Sequence, residues 1–315
     1  MIEKFDLVIV GAGPAGSCAA WAAAREGLSV VILERHKRVG EHILCAEGIS
    51  RSTVDGWLDI KPHWISTKLR GAVVKSPSRR IFQANYPDVG YILERKIFDA
   101  ELAGEAVKAG AKLICNAEAI EIQDKKLIYL QDQEKKEVGF GFIIGADGCE
   151  SRIGRLAGLK TFLKLNEIHI CAQYLLGNLN IESDYAQFYL DEDIAPGGYA
   201  WVFPKSKDRA NVGLGISPLK AKQSVRIYLD HWVTNEFSSA TKLRFICGGV
   251  PAKIMKQFTS GNCFLAGDAA RFCDPLSGGG IANAVKSGFL AGINAARILK
   301  GKKSEYEKAI KKEVL

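Results

Sequence analysis

Two short, mostly apolar runs, at 7–10 and 28–33, flank a stretch at 17–25 that is rich in alanine and other small residues. Runs this short read as strands buried on both faces, and small residues at almost every position suit a helix packed close to a sheet. The first run ends in Gly11-Ala12-Gly13-Pro14-Ala15-Gly16, Gly27 closes the helix, and the second run delivers Glu34. The pattern predicts a strand, a tight turn, a helix and a second strand with an acid at its tip.

Further along, the spacing predicts strands between 69 and 82 with a turn at 76–78, then a helix over 96–109 carrying Phe98, Leu102 and Ala106 on one face and stopping at Gly110. Strands follow at 112–122 and 126–130, then a solvated charged turn at 132–137. An apolar strand at 140–144 leads into Gly145-Ala146-Asp147-Gly148. From 168 to 216 the pattern is mostly strand-like, including 186–190, 199–203 and 211–216. It predicts a separate antiparallel sheet forming a roof over a ligand. A helix is expected over 219–237 with Tyr228 and Trp232. An apolar strand from 262 ends in Gly267-Asp268, and glycines at 278–280 precede a helix over 281–299. In the charged segment from 302 onward, Ser304 and Glu307 stand at capping-box spacing.

The first turn carries chemistry. Gly11 permits a sharp bend, Gly13 lets the backbone approach a pyrophosphate, Gly16 lets the helix pack close, and Pro14 suits a first helical position. The helix N-terminus offers N–H groups to phosphates, and Glu34 lies about where a carboxylate holds ribose hydroxyls. Placed between strand and helix, the motif indicates a dinucleotide site. Gly278, Gly279 and Gly280 let the backbone run along a flat ligand, with the positive end of the next helix, from Ile281, aimed at it. Tyr199, Trp201 and Phe203 alternate along one strand and therefore share a face, either as a core stripe or as an aromatic wall for an apolar substrate. The loop at 41–48 contains His42 and Cys45, which packing explains better than a nucleophile–base pair.

Composition narrows the field. Among 315 residues, 47% are apolar and 25% charged, which supports an ordinary globular core rather than disorder. Net charge is +8, mostly with acids interleaved, so nucleic acid is not expected, while contact with an anionic membrane or an acidic protein donor stays open. The eight cysteines contain no CxxC, which argues against zinc ribbons and iron–sulfur clusters, and no metal site is expected. They read as small hydrophobes in a reducing, cytoplasmic setting, several of them buried within strands. A nucleotide strand this early leaves no room for a secretory leader, and no apolar run of 18 residues appears.

Taken in order, GAGPAG with Glu34, Arg95 before a helix, GADG at 145–148 and GDAA at 267–270 resemble the FAD-dependent oxidoreductases built like p-hydroxybenzoate hydroxylase. That resemblance implies an α/β fold, a Rossmann-type FAD-binding domain (1–65, 93–160 and 250–301) with an inserted antiparallel sheet for substrate (66–92 and 161–249). Residues 302–315 would begin a C-terminal helical region that the family usually continues. Gly11, Gly13, Pro14, Ala15, Gly16, Glu34 and Arg35 would hold the adenosine diphosphate, Arg95 and Asp147 would border the pyrophosphate, and Gly267 and Asp268 would bind the ribitol. Gly279, Gly280 and Ile281 would face the flavin ring.

Two more motifs narrow the family. Cys45-Ala46-Glu47-Gly48 fits a C-x-x-G loop, and Tyr199-Ala200-Trp201-Val202-Phe203-Pro204 fits a Y-x-W-x-F-P strand. Both resemble the geranylgeranyl reductase family, which saturates double bonds of isoprenoid chains in archaeal lipids, chlorophyll and quinone tails. The resemblance implies that Gly48, Tyr199, Trp201, Phe203 and Pro204 line a prenyl tunnel, with Cys45, Tyr199 and Trp201 as the catalytic candidates and Cys45 near the flavin. Electrons would come from NAD(P)H or a protein donor such as ferredoxin or flavodoxin, because Gly213-Leu214-Gly215 does not complete a second dinucleotide motif. The same scaffold also serves flavin monooxygenases, halogenases and quinone-linked electron carriers, which are the alternatives to an isoprenoid reductase.

Overall fold

Strand Lys4–Val10 buries its last four residues completely or nearly so, because it lies between two parallel neighbours, Val30–Leu33 and Glu134–Gly145. The computed structural model describes residues 2–78 and 80–315. It separates into one unit made of Met1–Ile43, Arg95–Phe162 and Lys253–Leu315 and another made of Leu44–Glu94 and Leu163–Ala252.

The sheet of the first unit runs in the order Thr259–Ser260, Cys263–Leu265, Glu134–Gly145, Lys4–Val10, Val30–Leu33, Lys112–Ile114. The chain leaves Lys4–Val10 toward one edge and later returns on its other side. The strand order therefore reverses between Lys4–Val10 and Glu134–Gly145, and open α/β sheets take ligands at the carboxyl ends of such a pair. Helix Pro14–Arg25 is built of small residues, and helix Ile281–Leu299 lies directly on it. A Cβ on Gly288 would stand 2.2 Å from the Ala15 carbonyl oxygen, and one on Gly292 2.2 Å from that of Ala19, so only glycine allows this approach.

Several boundaries differ from expectation. The charged turn is only residues 132–133, both at positive φ, and 134–137 already belong to Glu134–Gly145, since a two-residue hairpin of this kind matches the twist of its strands. Residues 112–122 form two strands, Lys112–Ile114 and Ala117–Gln123, parted at Asn116 with φ of 55°. The capping box at Ser304 does not form. Glu305 caps helix Tyr306–Glu313, and the Glu307 carboxylate accepts a bond from Thr259 Oγ1 at 2.5 Å instead. That helix is tied down by buried Tyr306, whose hydroxyl donates to the Leu265 carbonyl at 2.7 Å.

The second unit holds one sheet in the order Thr241–Pro251, Ile168–Gly177, Ala210–Ile216, Tyr199–Pro204, Tyr185–Tyr189, Ile65–Lys75, Ile81–Leu93, Gly48–Ser50. It is antiparallel except at one seam, where Tyr185–Tyr189 runs parallel to Ile65–Lys75. The sheet is thus antiparallel as expected but for this one pair. Helix Val225–Glu236 covers one face, and its Val225, Leu229, Trp232 and Val233 form a core with Ala172, Tyr174, Ala200, Val202, Val212 and Leu214. The expected helix starts six residues late because 219–224 is turn and bend. Strand alternation sends Tyr199, Trp201 and Phe203 to the opposite face.

Candidate functional site

In the first unit the glycine turn and the Asp-Gly turn meet. A Cβ on Gly11, whose φ is +99°, would stand 2.3 Å from the Ala146 carbonyl oxygen, and one on Gly16 would stand 1.8 Å from that of Gly11. Nothing lies within 4 Å of a Cβ on Gly13, so the backbone there is open to a close ligand. Gly13 and Gly280 cap the helices starting at Pro14 and Ile281, and neither helix has a side-chain cap. Their first N–H groups suit a phosphate or another acceptor.

Glu34 is 7% exposed and its carboxylate closes the turn, accepting from Ala12 N at 2.8 Å and from His36 N and Nδ1 at 2.9 and 2.7 Å. The His36 ring stacks on His42 at 4.2 Å. Arg35, by contrast, is exposed. Asp147 accepts from Ser151 Oγ and Ile153 N at 2.7 and 2.9 Å, so its carboxylate holds the start of helix Arg152–Leu156, while burial pushes its pKa up.

Arg95 forms a buried two-pronged pair with Asp99 at 2.6 and 2.8 Å. Its positive charge also acts on Asp268, a half-buried acid whose pKa loss of water raises and Arg95 pulls partly back. Asp268 Oδ1 is 3.2 Å from where a Gly280 Cβ would stand, and a Cβ on Gly267 would meet Ala15 at 2.9 Å. Motifs spread over 270 residues of sequence thus converge, with Ser287 Oγ accepting from Gly267 N at 2.9 Å to fix the last turn.

In the second unit Trp201 is 7% exposed, with Tyr199 and Phe203 rings 5.9 and 6.4 Å away and Phe188 beside both of those. Pro204 is buried at the end of the strand. Gly213 and Gly215, unassigned by sequence reasoning beyond what they lack, floor this face. A Cβ on Gly213 would stand 2.5 Å from Trp201 Cζ2. The ring lies over that glycine and donates Nε1–H to Gln173 Oε1 at 3.0 Å. Gln173 in turn donates to the Cys45 carbonyl at 3.4 Å, so one amide joins two of the three catalytic candidates.

The Cys45 loop is held against the same face. Cys45 Sγ accepts from Glu47 N at 3.2 Å, and a Cβ on Gly48 would stand 2.9 Å from the Phe203 ring. Glu47, at φ 71°, accepts from Lys205 Nζ at 2.7 Å and Asn211 Nδ2 at 2.9 Å. Sequence reasoning missed Gln173, Lys205 and Asn211. The signal available was that Lys205 directly follows the aromatic motif. Other thiols are not poised for chemistry: burial pushes Cys171 and Cys263 up to about 12 and Cys149 up to about 11, while Cys247 is exposed. No disulfide joins the cysteines of the described residues.

Comparisons with known proteins give the family. Residues 167–250 match the geranylgeranyl reductase catalytic domain and residues 9–86 an NAD(P)-binding Rossmann-like domain. The chain is 39% identical to digeranylgeranylglycerophospholipid reductase 2 of Methanococcoides burtonii, covering 95% of this chain and 77% of that one. It is 40% identical to the digeranylgeranylglycerophospholipid reductase of Methanosarcina mazei, covering 93% and 75%. A geranylgeranyl bacteriochlorophyll reductase-like structure from Thermoplasma acidophilum superposes with TM-score 0.92 at 35% identity, over 100% of this chain and 85% of that one. The p-nitrophenol 4-monooxygenase of Pseudomonas putida, at 18% identity and TM-score 0.77 over 99% and 84%, shares the fold alone. With the glycine and Asp-Gly turns in one unit and the aromatic motif in the other, the chain belongs to the geranylgeranyl reductase family of flavin-dependent oxidoreductases.

Proposed function

We propose that this chain reduces carbon–carbon double bonds in the isoprenoid chains of a digeranylgeranyl glycerophospholipid, with FAD as its cofactor. The observation that carries the reading is the face made by Phe188, Tyr199, Trp201 and Phe203, apolar in its rings and with the indole N–H already bonded to Gln173. Such a face suits a hydrocarbon chain, which offers nothing to hydrogen-bond. The lipids named for the relatives have that chemistry.

The residues of the first unit fit FAD. The turn at Gly11, Gly13 and Gly16 would take the pyrophosphate with Arg95, Glu34 the ribose hydroxyls, and Asp268 the ribitol. Gly279, Gly280 and the start of helix Ile281–Leu299 would face the ring. When bound and reduced, FAD supplies a hydride to one alkene carbon. The second carbon takes a proton, and Cys45 is the proposed donor, its sulfur positioned by the Glu47 N–H and its carbonyl by Gln173. An isolated alkene has no carbonyl to polarise, so the aromatic face contributes by aligning the chain and excluding water. Electrons would reach the flavin from NAD(P)H or from a small protein donor of the ferredoxin or flavodoxin type.

The test is to reduce the flavin-loaded protein anaerobically, add a digeranylgeranyl phospholipid, and follow visible absorbance and product mass together. Reoxidation with a gain of two hydrogens per double bond is expected. Reoxidation only on adding oxygen, with an unchanged lipid, would remove the substrate assignment and leave the flavin assignment standing.

A further inference from the structure

Strand Ile81–Leu93 pairs with Gly48–Ser50 only at residues 90–92, so along 81–89 its outer side has no strand neighbour among the described residues. That edge carries the wrong side chains for water. Ile81 is 65% exposed, Phe82 68% and Tyr86 70%, where free edges ordinarily carry charge or a bulge.

Two further observations indicate what covers it. First, residues 61–87 contain six Lys or Arg and no Asp or Glu. Arg80 and Lys75 stand at the hairpin end beside Ile81, and the first acid beyond, Asp88, is 3.3 Å from Arg51. Second, the sheet registers set Phe82 beside Val74, Val74 beside Phe188 and Phe188 beside Trp201. Residues paired in this way share a face, so one apolar row leads from the exposed edge to the aromatic wall.

We propose that the hairpin of Ile65–Lys75 and Ile81–Leu93 docks on an anionic lipid bilayer. Ile81, Phe82 and Tyr86 sit at the boundary of headgroups and chains, and the row from Phe82 to Trp201 is the path by which an isoprenoid chain leaves the bilayer. The path rests on the substrate reading above, whereas the docking does not. No helix among the described residues is long and apolar enough to cross a membrane, so a lipid in a bilayer must be met by a surface element. An apolar edge in a stretch with an excess of basic residues, of which Arg70 pairs with Asp184, is the chemistry of such an element. A row of neighbouring apolar residues keeps a transferred chain from crossing water.

The protein is sedimented with substrate-free vesicles of phosphatidylglycerol and, separately, phosphatidylcholine. Binding to the anionic vesicles is expected, with Ile81→Glu/Tyr86→Glu weakening it at least about tenfold and Arg80→Glu weakening it less. Leu219→Glu, at another exposed apolar position of the same unit, serves as the surface control and should bind as before. Thermal melting and circular dichroism establish that each variant is folded. Failure of the unaltered protein to bind, or equal binding by the double variant, overturns the proposal. So does a lipid-free dimer that the double variant dissociates, because the edge then pairs two copies. With the phospholipid substrate, the ratio of turnover in vesicles to turnover in detergent micelles should fall about tenfold in the double variant. Absence of turnover in both media from the unaltered protein would remove the substrate reading while the vesicle result still decides the docking.

Discussion

Lys205 Nζ lies 2.7 Å from Glu47 Oε2, and both side chains are nearly buried, at 11% and 12% exposed. The same ammonium reaches Glu94 Oε1 and the Leu93 carbonyl at 2.9 Å. Lys205 thus ties the strand bearing the aromatic motif to the loop bearing Cys45, and it holds Glu47 in its left-handed conformation.

Lys205→Met should therefore destabilise the protein by about 3–5 kcal/mol, because a buried carboxylate loses its cation, whereas Glu47→Gln should cost less. The double variant should recover part of the loss. The measure is a double-mutant cycle by chemical denaturation, and additive losses would show that the pair does not couple.

Trp201→Phe keeps an aromatic ring on the face but removes the N–H that Gln173 Oε1 accepts. The buried acceptor should cost about 1–3 kcal/mol. Isoprenoid turnover should fall while the flavin spectrum is unchanged. Gly213→Ala should produce the same pattern by a different route, since its Cβ would displace the ring. Spectra and turnover measured side by side check both, and a lost flavin spectrum would contradict the assignment of this face to substrate.

How far the sequence reached follows from how local each signal is. The strand–turn–helix at residues 4–25 and the helix Ile281–Leu299 are written in contiguous glycines and apolar runs, so their places were readable. The alternation of Tyr199, Trp201 and Phe203 likewise fixes their common face. Gln173 and Asn211 were not readable, because each is one polar residue in an apolar strand and its partner lies in a loop well over 100 residues away. The parallel seam between Tyr185–Tyr189 and Ile65–Lys75 was invisible for the same reason, since strand pairing is a property of the whole sheet.

Gly288 and Gly292 were read only as part of a helix, yet they set how closely two helices approach. Gly288→Ala places a Cβ 2.2 Å from the Ala15 carbonyl oxygen. Overpacking of this kind should cost about 1–3 kcal/mol. Because Ala15 sits in the glycine turn and also meets Gly267, retention of flavin on gel filtration should fall as well. A stable variant that keeps its flavin would show that the two helices can part without disturbing the turns.

Asp268 offers a pH test whose sign follows from its burial. Its folded pKa is raised above the ordinary 3.8 by loss of water, with Arg95 opposing. For an acid raised in this way, the neutral form is favoured by folding. The favourable contribution is complete below the unfolded value near 3.8, and it is lost as pH rises through the folded value. Asp268→Asn, neutral at every pH, escapes that loss. The variant should melt higher than the parent at pH 7, and the gap should close as pH falls toward 4. The parent should nevertheless hold flavin more tightly, because a carboxylate at the proposed ribitol position would accept two hydroxyl bonds where the amide would accept fewer. Paired melting curves across that pH range, with flavin titrations at pH 7, decide it. A gap that widens toward acid would mean that Arg95 outweighs burial and that Asp268 is stabilised as the anion.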